Sequence, residues 1–391
     1  MKQSWLGNTF RIAAIFAFRM LGLFMLIPVF TVYAHDLQGA TPLLLGIALG
    51  AYGLTQGLLQ LPFGILSDRY GRKPLITLGL ILFALGSLLG AWADTISGMI
   101  LARTLQGAGA IGSVLIALLA DVTTETHRTK AMAIIGATIG LSFTLALVLS
   151  PTITEFSGLS GIFYLTAALA VIGLLILHSM PTPSHTASGG NDTINIHQLK
   201  QVFLNRDLLR LDAGIFFQHL ILISTFYALP ILLQHHIRAH QLAQSWQFYL
   251  PVMLISFLLM IPVMLWTEKN QKTKALFVGS VATILVTQFG LALCSTSFIM
   301  LCGLMFAYFV AFNLLEANLP SLISKQVNPN AKGCAMGVYS SSQFLGIFVG
   351  GSLAGMVFQY AGSTGIFVFN TCITVLWFGM TLFLNINARH H

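Results

Sequence analysis

Apolar runs long enough to cross a lipid bilayer recur along the whole chain. A membrane-spanning helix needs about 20 consecutive apolar residues, and runs such as 43–66 and 74–92 reach or approach that length. Charged side chains make up 8% of the 391 residues, whereas a typical soluble domain has about 25%. With a mean hydropathy of +0.84, the chain is predicted to be an all-α membrane protein.

Twelve transmembrane spans are predicted from these runs and from the polar segments between them. They cover residues 11–34, 43–66, 74–92, 97–119, 131–153, 160–179, 209–233, 246–266, 275–295, 298–323, 333–358 and 364–386. If the amino terminus is cytoplasmic, nearly all loop Lys and Arg residues lie on the cytoplasmic side, in agreement with the positive-inside rule. Both termini are therefore expected in the cytoplasm. The net charge of +8 then indicates membrane orientation, and we expect no nucleic-acid partner.

A polar segment divides the chain into two halves of six spans each. Residues 181–208 are rich in Pro, Ser, Gly and polar side chains, a composition typical of linkers. We predict an N-terminal half at 1–180, a cytoplasmic linker at 181–208 and a C-terminal half at 209–391. A weak repeat supports this division, since TEKNQK (267–272) has its acid and two bases at the spacing of SDRYGR (67–72). Six-helix halves related by an internal repeat are typical of membrane transporters.

The loop between the second and third spans is short, charged and bounded by glycines. Residues 64–76 read GILSDRYGRKPLI. Its glycines allow a tight turn and close helix approach, and the spacing of its acidic and basic residues permits ion pairs. This pattern resembles the signature G-x-L-x-D-R-x-G-R-K/R, which lies between the second and third helices of the major facilitator superfamily.

The resemblance to the major facilitator superfamily covers essentially the whole chain and extends to its bacterial drug:proton antiporter branch with twelve spans. Residues 102–109, ARTLQGAG, match the fourth-helix pattern R-x-x-Q-G-x-G of that branch. The resemblance implies two pseudo-symmetric six-helix halves, alternating access, and a multi-pass protein in the bacterial inner membrane. Because the chain stops at His391, the soluble carboxy-terminal domain of one similar inner-membrane transporter is expected to be absent.

The resemblance also implies a role for the charged loop. In relatives this cluster holds the two halves in the outward-facing state, and we carry that role onto Asp68, Arg72 and Asp121. The other members of the predicted gating motif are Gly64, Arg69, Gly71 and Lys73. The alternative is a purely topogenic role for the basic residues, but that role explains neither the glycines nor Asp68.

Ionisable side chains well inside the predicted spans are candidate functional residues, because a charge at mid-membrane costs roughly 2.5–3.5 kcal/mol. They are Arg19, Arg103, His219 and Glu316, on the first, fourth, seventh and tenth spans. The resemblance implies that these four spans line a central cavity. We therefore predict that the four residues serve proton coupling or the cavity, with the proton as coupling ion and no cofactor or metal.

Each of the four residues also has a structural explanation that stays open at this stage. Arg19 could snorkel to the headgroups, Arg103 could fix a local carbonyl network, and His219 could bond as a neutral imidazole to a neighbouring helix. Glu316 could form a static salt bridge with Arg19. Its functional interpretation is the clearest of the four, because apolar surroundings favour the protonated form of a carboxyl group.

Proton-coupled efflux of amphiphilic small molecules is the leading functional hypothesis. The 29 Phe and 14 Met residues favour a cavity that is partly apolar and adaptable. The second hypothesis is a carrier for a metabolite or a carboxylate siderophore, in either direction, because guanidinium groups pair bidentately with carboxylates. The third is a non-transporting receptor or scaffold. No catalytic motif indicates an enzyme, and we expect a monomer whose partners are the lipid bilayer and a small-molecule substrate.

Overall fold

The computed structural model describes residues 5–180, 204–327 and 332–383. Within these ranges the chain is helical, and its only β-type pairing is an isolated bridge between Gln38 and Thr95. Ten helical segments of the described chain are long and apolar enough to cross a membrane. The predicted all-α membrane fold is therefore confirmed.

Seven helices form the first part of the chain. They are α1 (Trp5–Phe24), α2 (Phe30–Tyr33), α3 (Pro42–Tyr70), α4 (Arg72–Ala91), α5 (Ile96–Ala108), α6 (Gly112–Val122) and α7 (Glu125–Ser179). A 3₁₀ turn at Ala34–Asp36 follows α2. The predicted first span, 11–34, is thus not one helix, because turns at 25–29 separate α1 from α2.

Five helices form the second part of the chain. They are α8 (Arg206–Arg238), α9 (Trp246–Lys269), α10 (Thr273–Cys294), α11 (Phe298–Gln326) and α12 (Lys332–Leu382). Most of the predicted linker, 181–203, lies outside the described residues. The same holds for the end of the predicted twelfth span, after residue 383.

Two long helices, α7 and α12, bend at a glycine. Gly158 has φ 62° and ψ −165°, and Gly362 has φ 61° and ψ −160°, a backbone region that essentially only glycine occupies. The two helices are 55 and 51 residues long, more than twice what one crossing needs. Both bends fall between predicted spans, at the fifth-to-sixth and eleventh-to-twelfth junctions. The count of twelve crossings stays a prediction.

The predicted fourth span, 97–119, falls within one segment that could cross a membrane, Ile96–Val122, and this segment is divided into α5 and α6. The dividing sequence, 107–112, reads GAGAIG. A Cβ at Gly107 would lie 2.3 Å from the Tyr52 carbonyl oxygen of α3, and one at Gly109 would lie 2.3 Å from the Gly79 carbonyl oxygen of α4. The glycine run therefore packs directly on two neighbouring backbones, and its low helix propensity allows the helix to stop there.

The helices group into two compact units. Unit 1 comprises Met1–Ala40 and Ala51–Ile194, and unit 2 comprises Thr41–Gly50 and Asn195–His391. In unit 1, α1 and α4 pack along α7, and in unit 2, α12 packs along α8 and α10. The start of α3 belongs to unit 2 because a Cβ at Gly46 would lie 2.2 Å from the Gly351 carbonyl oxygen. The predicted boundaries at 180 and 208 stay predictions.

Candidate functional site

Arg19 on α1 is bound by neutral groups of α3. Its Nη2 donates to the Tyr52 hydroxyl at 2.8 Å and to Oε1 of Gln56. Gln56 donates in turn to Oε1 of Gln60 at 2.7 Å, so the three side chains line one face of α3 at four-residue intervals. Arg19 is 1% exposed, and its Nε and Nη1 have no hydrogen-bond partner among the described residues.

Arg103 on α5 lies against the same tyrosine. Its Nη1 donates to Oε1 of Gln106 at 2.8 Å, and Nε2 of Gln106 donates to the Ser87 hydroxyl at 2.8 Å. The guanidinium carbons of Arg103 and Arg19 lie 5.1 and 6.0 Å from the centre of the Tyr52 ring, within the range of cation–π attraction. The structure thus brings two of the predicted cavity residues together around one aromatic ring.

Among the residues described in unit 1, no carboxylate forms an ion pair with either arginine. Arg103 is 1% exposed, like Arg19, whereas every Asp and Glu side chain described in unit 1 is exposed. Removing a cation from water without a charged partner is costly. Tyr52, the glutamines and the cation–π contacts offset part of that cost but supply no negative charge.

Glu316 on α11 and His219 on α8 form the second cluster, in unit 2. Oε2 of Glu316 accepts a hydrogen bond from Nε2 of Gln218 at 3.1 Å and lies 3.9 Å from Nε2 of His219. Nε2 of His219 is also 2.8 Å from the Gln343 amide nitrogen, and its Nδ1 is 3.3 Å from the Ile215 carbonyl oxygen. A neutral imidazole with its proton on Nδ1 fits both of these contacts.

In the described part of the chain, Glu316 forms no ion pair with Lys or Arg. Within the described residues, the one basic side chain within 4.0 Å of the Glu316 carboxyl group is His219, which forms an ion pair only when its imidazole is protonated. The Glu316 side chain is 39% exposed and that of His219 is 7% exposed, so the carboxyl group is reachable while the imidazole is largely covered. The structure therefore brings together the predicted acid and the predicted imidazole.

Sequence reasoning missed Asp212, a third buried ionisable residue of unit 2. It was left out because it lies near the start of the predicted seventh span, yet it is 5% exposed and its Oδ1 has no partner among the described residues. Asp212 precedes His219 by seven residues, which is about two helical turns and the same face of α8. Tyr339 of α12 is buried within electrostatic range of both Asp212 and Glu316. The seven-residue spacing between Asp212 and His219 was the sequence feature from which the position of Asp212 could have been predicted.

A neutral polar network was not predicted either, because it contains no ionisable side chain. Asn370 of α12 accepts from the Ser224 hydroxyl at 2.5 Å and donates to Gln288 at 3.0 Å and to the Thr225 hydroxyl at 3.2 Å. All four side chains are fully buried. Because the network joins α8, α10 and α12 and its groups are mutually satisfied, it fixes the packing of three helices.

Arg72 is the centre of the gating motif. Its guanidinium pairs with Oδ1 of Asp68 one turn before it and with Oδ2 of Asp121 on α6 at 3.2 Å, and it donates to the Ser67 hydroxyl at 2.6 Å. Gly71 separates α3 from α4 with φ 96°, a conformation that favours glycine. The structure places all three proposed latch residues in contact, and their gating role stays a prediction.

The other members of the motif have individual surroundings. Lys73 donates to the carbonyl oxygen of Met180, at the end of the first half. The Arg69 guanidinium lies 5.4 Å from the centre of the Tyr70 ring. A Cβ at Gly64 would be 3.6 Å from its nearest neighbour, the Ser113 hydroxyl. That is an ordinary contact distance, so close packing does not require glycine at this position.

Comparison with known proteins places these features in a family. The family model of the Major Facilitator Superfamily matches residues 12–287 and 211–391. The chain belongs to the major facilitator superfamily. The Inner membrane transport protein YajR of Escherichia coli K12 is 44% identical over 370 residues, covering 94% of this chain and 81% of that protein. An uncharacterized transporter of Buchnera aphidicola subsp. Acyrthosiphon pisum is 34% identical over 346 residues, covering 88% of each chain.

A solved structure shows the same fold. The crystal structure of a D-xylose-proton symporter superposes with a TM-score of 0.80 at 15% identity, covering 98% of this chain and 99% of that one. At this identity the likeness concerns the major facilitator fold alone. The family match and the relatives named above make the protein a multi-pass transporter of the inner membrane that carries small molecules.

Proposed function

We propose that the protein works by alternating access and couples the efflux of amphiphilic small molecules to protons. The observation that carries this proposal is the contact of 3.9 Å between Glu316 and His219, held by the neutral amides of Gln218 and Gln343. A carboxyl group with amide and imidazole neighbours can change its charge while its helices stay in place.

Protonation of Glu316 would act on the equilibrium between conformations. Neutralising the carboxyl group removes one negative charge beside the largely buried His219 imidazole, where charge interactions are stronger than in bulk water. A proton therefore shifts the populations of two states to the extent that it binds them with different affinity. His219 is close enough to exchange that proton with Glu316 after a small side-chain movement.

Three parts of the proposal are supported by sequence features. They are the direction of transport, the amphiphilic character of the substrate and the cytoplasmic position of both termini. The motifs in the second and fourth spans resemble those of drug:proton antiporters, and the Phe and Met content suits an adaptable apolar cavity. The distribution of Lys and Arg supports cytoplasmic termini. We propose that the contacts of Arg72 with Asp68 and Asp121 provide the cytoplasmic latch of this cycle.

Transport by the purified protein in proteoliposomes with an imposed pH gradient tests the coupling. Glu316→Gln preserves the shape of the side chain and removes its titration, so we expect uphill transport of amphiphilic dyes to be lost while dye binding remains. Glu268→Gln, at the exposed end of α9, is the matched control and should transport like the wild type. Undiminished uphill transport by Glu316→Gln would exclude this residue from coupling.

A carrier for a dedicated carboxylate metabolite or siderophore is the second candidate. It is favoured by the two buried guanidinium groups of unit 1, which form no ion pair with a carboxylate among the residues described there. Including carboxylate siderophores among the transported compounds separates the two candidates. Selective movement of the siderophores, with the dyes inert, would favour the second.

A further inference from the structure

Helix α8 carries a buried carboxyl group that the proposed function does not use. Asp212 is 5% exposed, and no other Asp or Glu side chain is buried in the described part of the chain. Its Oδ1 has no hydrogen-bond partner there, and none of the salt bridges of the described residues includes it. Burying an ionised carboxylate without a partner is costly, and binding of a proton removes that cost.

The position of Asp212 in α8 does not give it a role in stabilising the helix end. A carboxylate is favoured within the first turn of a helix, whereas Asp212 is the seventh residue of α8. The N-cap is Asn205, whose side chain accepts hydrogen bonds from the N–H groups of Asp207 and Leu208. Asp207 lies in the first turn and pairs with Arg210 at 2.9 Å. Other residues therefore stabilise this helix end, and the cost of burying Asp212 has no return there.

Asp212 lies on the face of α8 that carries the Glu316 cluster. It precedes His219 by seven residues, which is about two turns and about 10 Å along the helix, and His219 lies 3.9 Å from Glu316. Tyr339 of α12 is within electrostatic range of both Asp212 and Glu316. Its hydroxyl is buried and has no hydrogen-bond partner among the described residues. The two acids therefore share a polar neighbour, and the charge of one influences the other.

The helices around α8 provide no cation that neutralises Asp212. Helices α11 and α12 pack against α8, and a Cβ at Gly214 would lie 3.7 Å from Phe277 of α10. The titratable side chains of the facing helix segments are His219, Glu316, Cys334 and Tyr339 and the exposed Arg206, Lys274, Lys325 and Lys332. Among the described residues, none of these cations forms an ion pair with Asp212. Protonation is the remaining way to neutralise the carboxylate.

We propose that Asp212 is a second proton-binding residue of unit 2, coupled to Glu316. The inference rests on the proposed function and deepens it, because the coupling site then binds up to two protons, one on each carboxyl group. A proton needs no cavity, so the burial of Asp212 is compatible with this role. The Glu316 side chain, which is 39% exposed, connects the cluster to the accessible surface.

Infrared difference spectroscopy of the full-length protein in phosphatidylcholine bilayers tests proton binding directly. Protonated carboxyl groups have a carbonyl stretching band of their own, and exposed Asp and Glu side chains take up a proton only near about pH 4. Lowering the pH from about 8 to about 5, the range around physiological pH, should therefore produce this band from the two acids of the cluster. We expect Asp212→Asn to lose about half of the area of the band.

Two further variants serve as controls for the infrared band. Asp207→Asn removes a carboxylate of the same helix that is ion-paired, and its band should equal that of the wild type. Asp212→Glu keeps a carboxyl group and should keep the whole band. An unchanged band in Asp212→Asn, or an equal loss in Asp207→Asn, would overturn the proposal.

Transport measurements show whether this proton takes part in coupling. Proteoliposomes that contain the pH indicator pyranine report how many protons cross the membrane for each ethidium molecule that is transported. Asp212→Asn should about halve this ratio, and Asp212→Glu should restore it. A ratio that is unchanged in Asp212→Asn would overturn the coupling of Asp212 to Glu316.

The proposed function and this inference can fail separately. If the wild type moves no ethidium under a pH gradient but Asp212→Asn loses half of the infrared band, the proposed function is refuted and Asp212 remains a proton-binding residue. If Glu316→Gln abolishes uphill transport while Asp212→Asn keeps both the full band and the wild-type ratio, the proposed function stands and the inference is refuted.

Discussion

The ionisable side chains inside the two units have different kinds of contact partner. In unit 1 the buried arginines contact an aromatic ring and neutral amides, whereas in unit 2 Glu316 contacts a histidine and an amide. The sequence was sufficient to single out these residues, because an ionisable group within an apolar span is conspicuous. It was insufficient for their partners, since Tyr52 and Gln343 come from other helices and carry no pattern that marks them. Asp212 was missed for a related reason, since its burial depends on how α8 packs.

Asp212 is expected to lower the stability of the fold, since its Oδ1 is buried and has no hydrogen-bond partner in the described part of the chain. Asp212→Asn should therefore raise the melting temperature, by an amount equivalent to about 1–3 kcal/mol, because an unpaired carboxylate costs more to bury than an amide. Asp207→Asn on the same helix is the control. It loses a surface ion pair with Arg210 and should change stability by less than about 1 kcal/mol. A lower melting temperature for Asp212→Asn would mean that the carboxylate has a stabilising partner.

Helix positions could be predicted from the sequence more completely than helix ends. Hydropathy identified the apolar sequence of the ten described helical segments that could cross a membrane. Such segments are recognisable because a crossing requires about 20 consecutive apolar residues. The break between α5 and α6 could not be read in this way, since a glycine run such as GAGAIG is equally compatible with a continuous helix in close contact with its neighbours. The break is therefore seen only in the folded backbone, where α5 ends at Ala108 and α6 begins at Gly112.

The bends in α7 and α12 can be tested by substituting the glycines at which they occur. A Cβ at Gly158, Gly362 or Gly136 would meet nothing within 4 Å, so the three sites differ in backbone conformation and not in available space. Gly158→Ala and Gly362→Ala should each destabilise the protein by more than about 1 kcal/mol, because their φ values are positive. Gly136→Ala, within a regular helix, should stabilise it by about 0.4–1 kcal/mol. Thermal unfolding in detergent measures all three, and equal effects at the three sites would contradict the assigned bends.

The two halves of the molecule share backbone features that the weak sequence repeat only suggested. Gly158 and Gly362 have nearly the same dihedral angles, and they lie at corresponding junctions of the two halves. Gln271 aligns with Gly71 in the repeated loop, and both have positive φ, 53° and 96°. The geometry of the loop is therefore retained where its glycine is not. The ion pair of the first loop has no counterpart in the second. Within the described residues Glu268 makes no ion pair, whereas Asp68 pairs with Arg72.

The described residues show this ion pair in the loop of the first half and none for the aligned Glu268 of the second. We therefore predict that the gating function lies in the first half alone. Asp68→Asn removes one of the two carboxylate partners of Arg72 and leaves Asp121 in place. These side chains are 22–44% exposed, so the Asp68–Arg72 ion pair should contribute at most about 1 kcal/mol. Its loss should therefore change the ratio of outward- to inward-facing protein by up to about fivefold. Distances between spin labels on the cytoplasmic loops of reconstituted protein measure that ratio. Glu268→Gln changes the corresponding acid of the second half and should leave the distances unaltered, so an equal shift in both variants would show that the response is to surface charge and not to a latch.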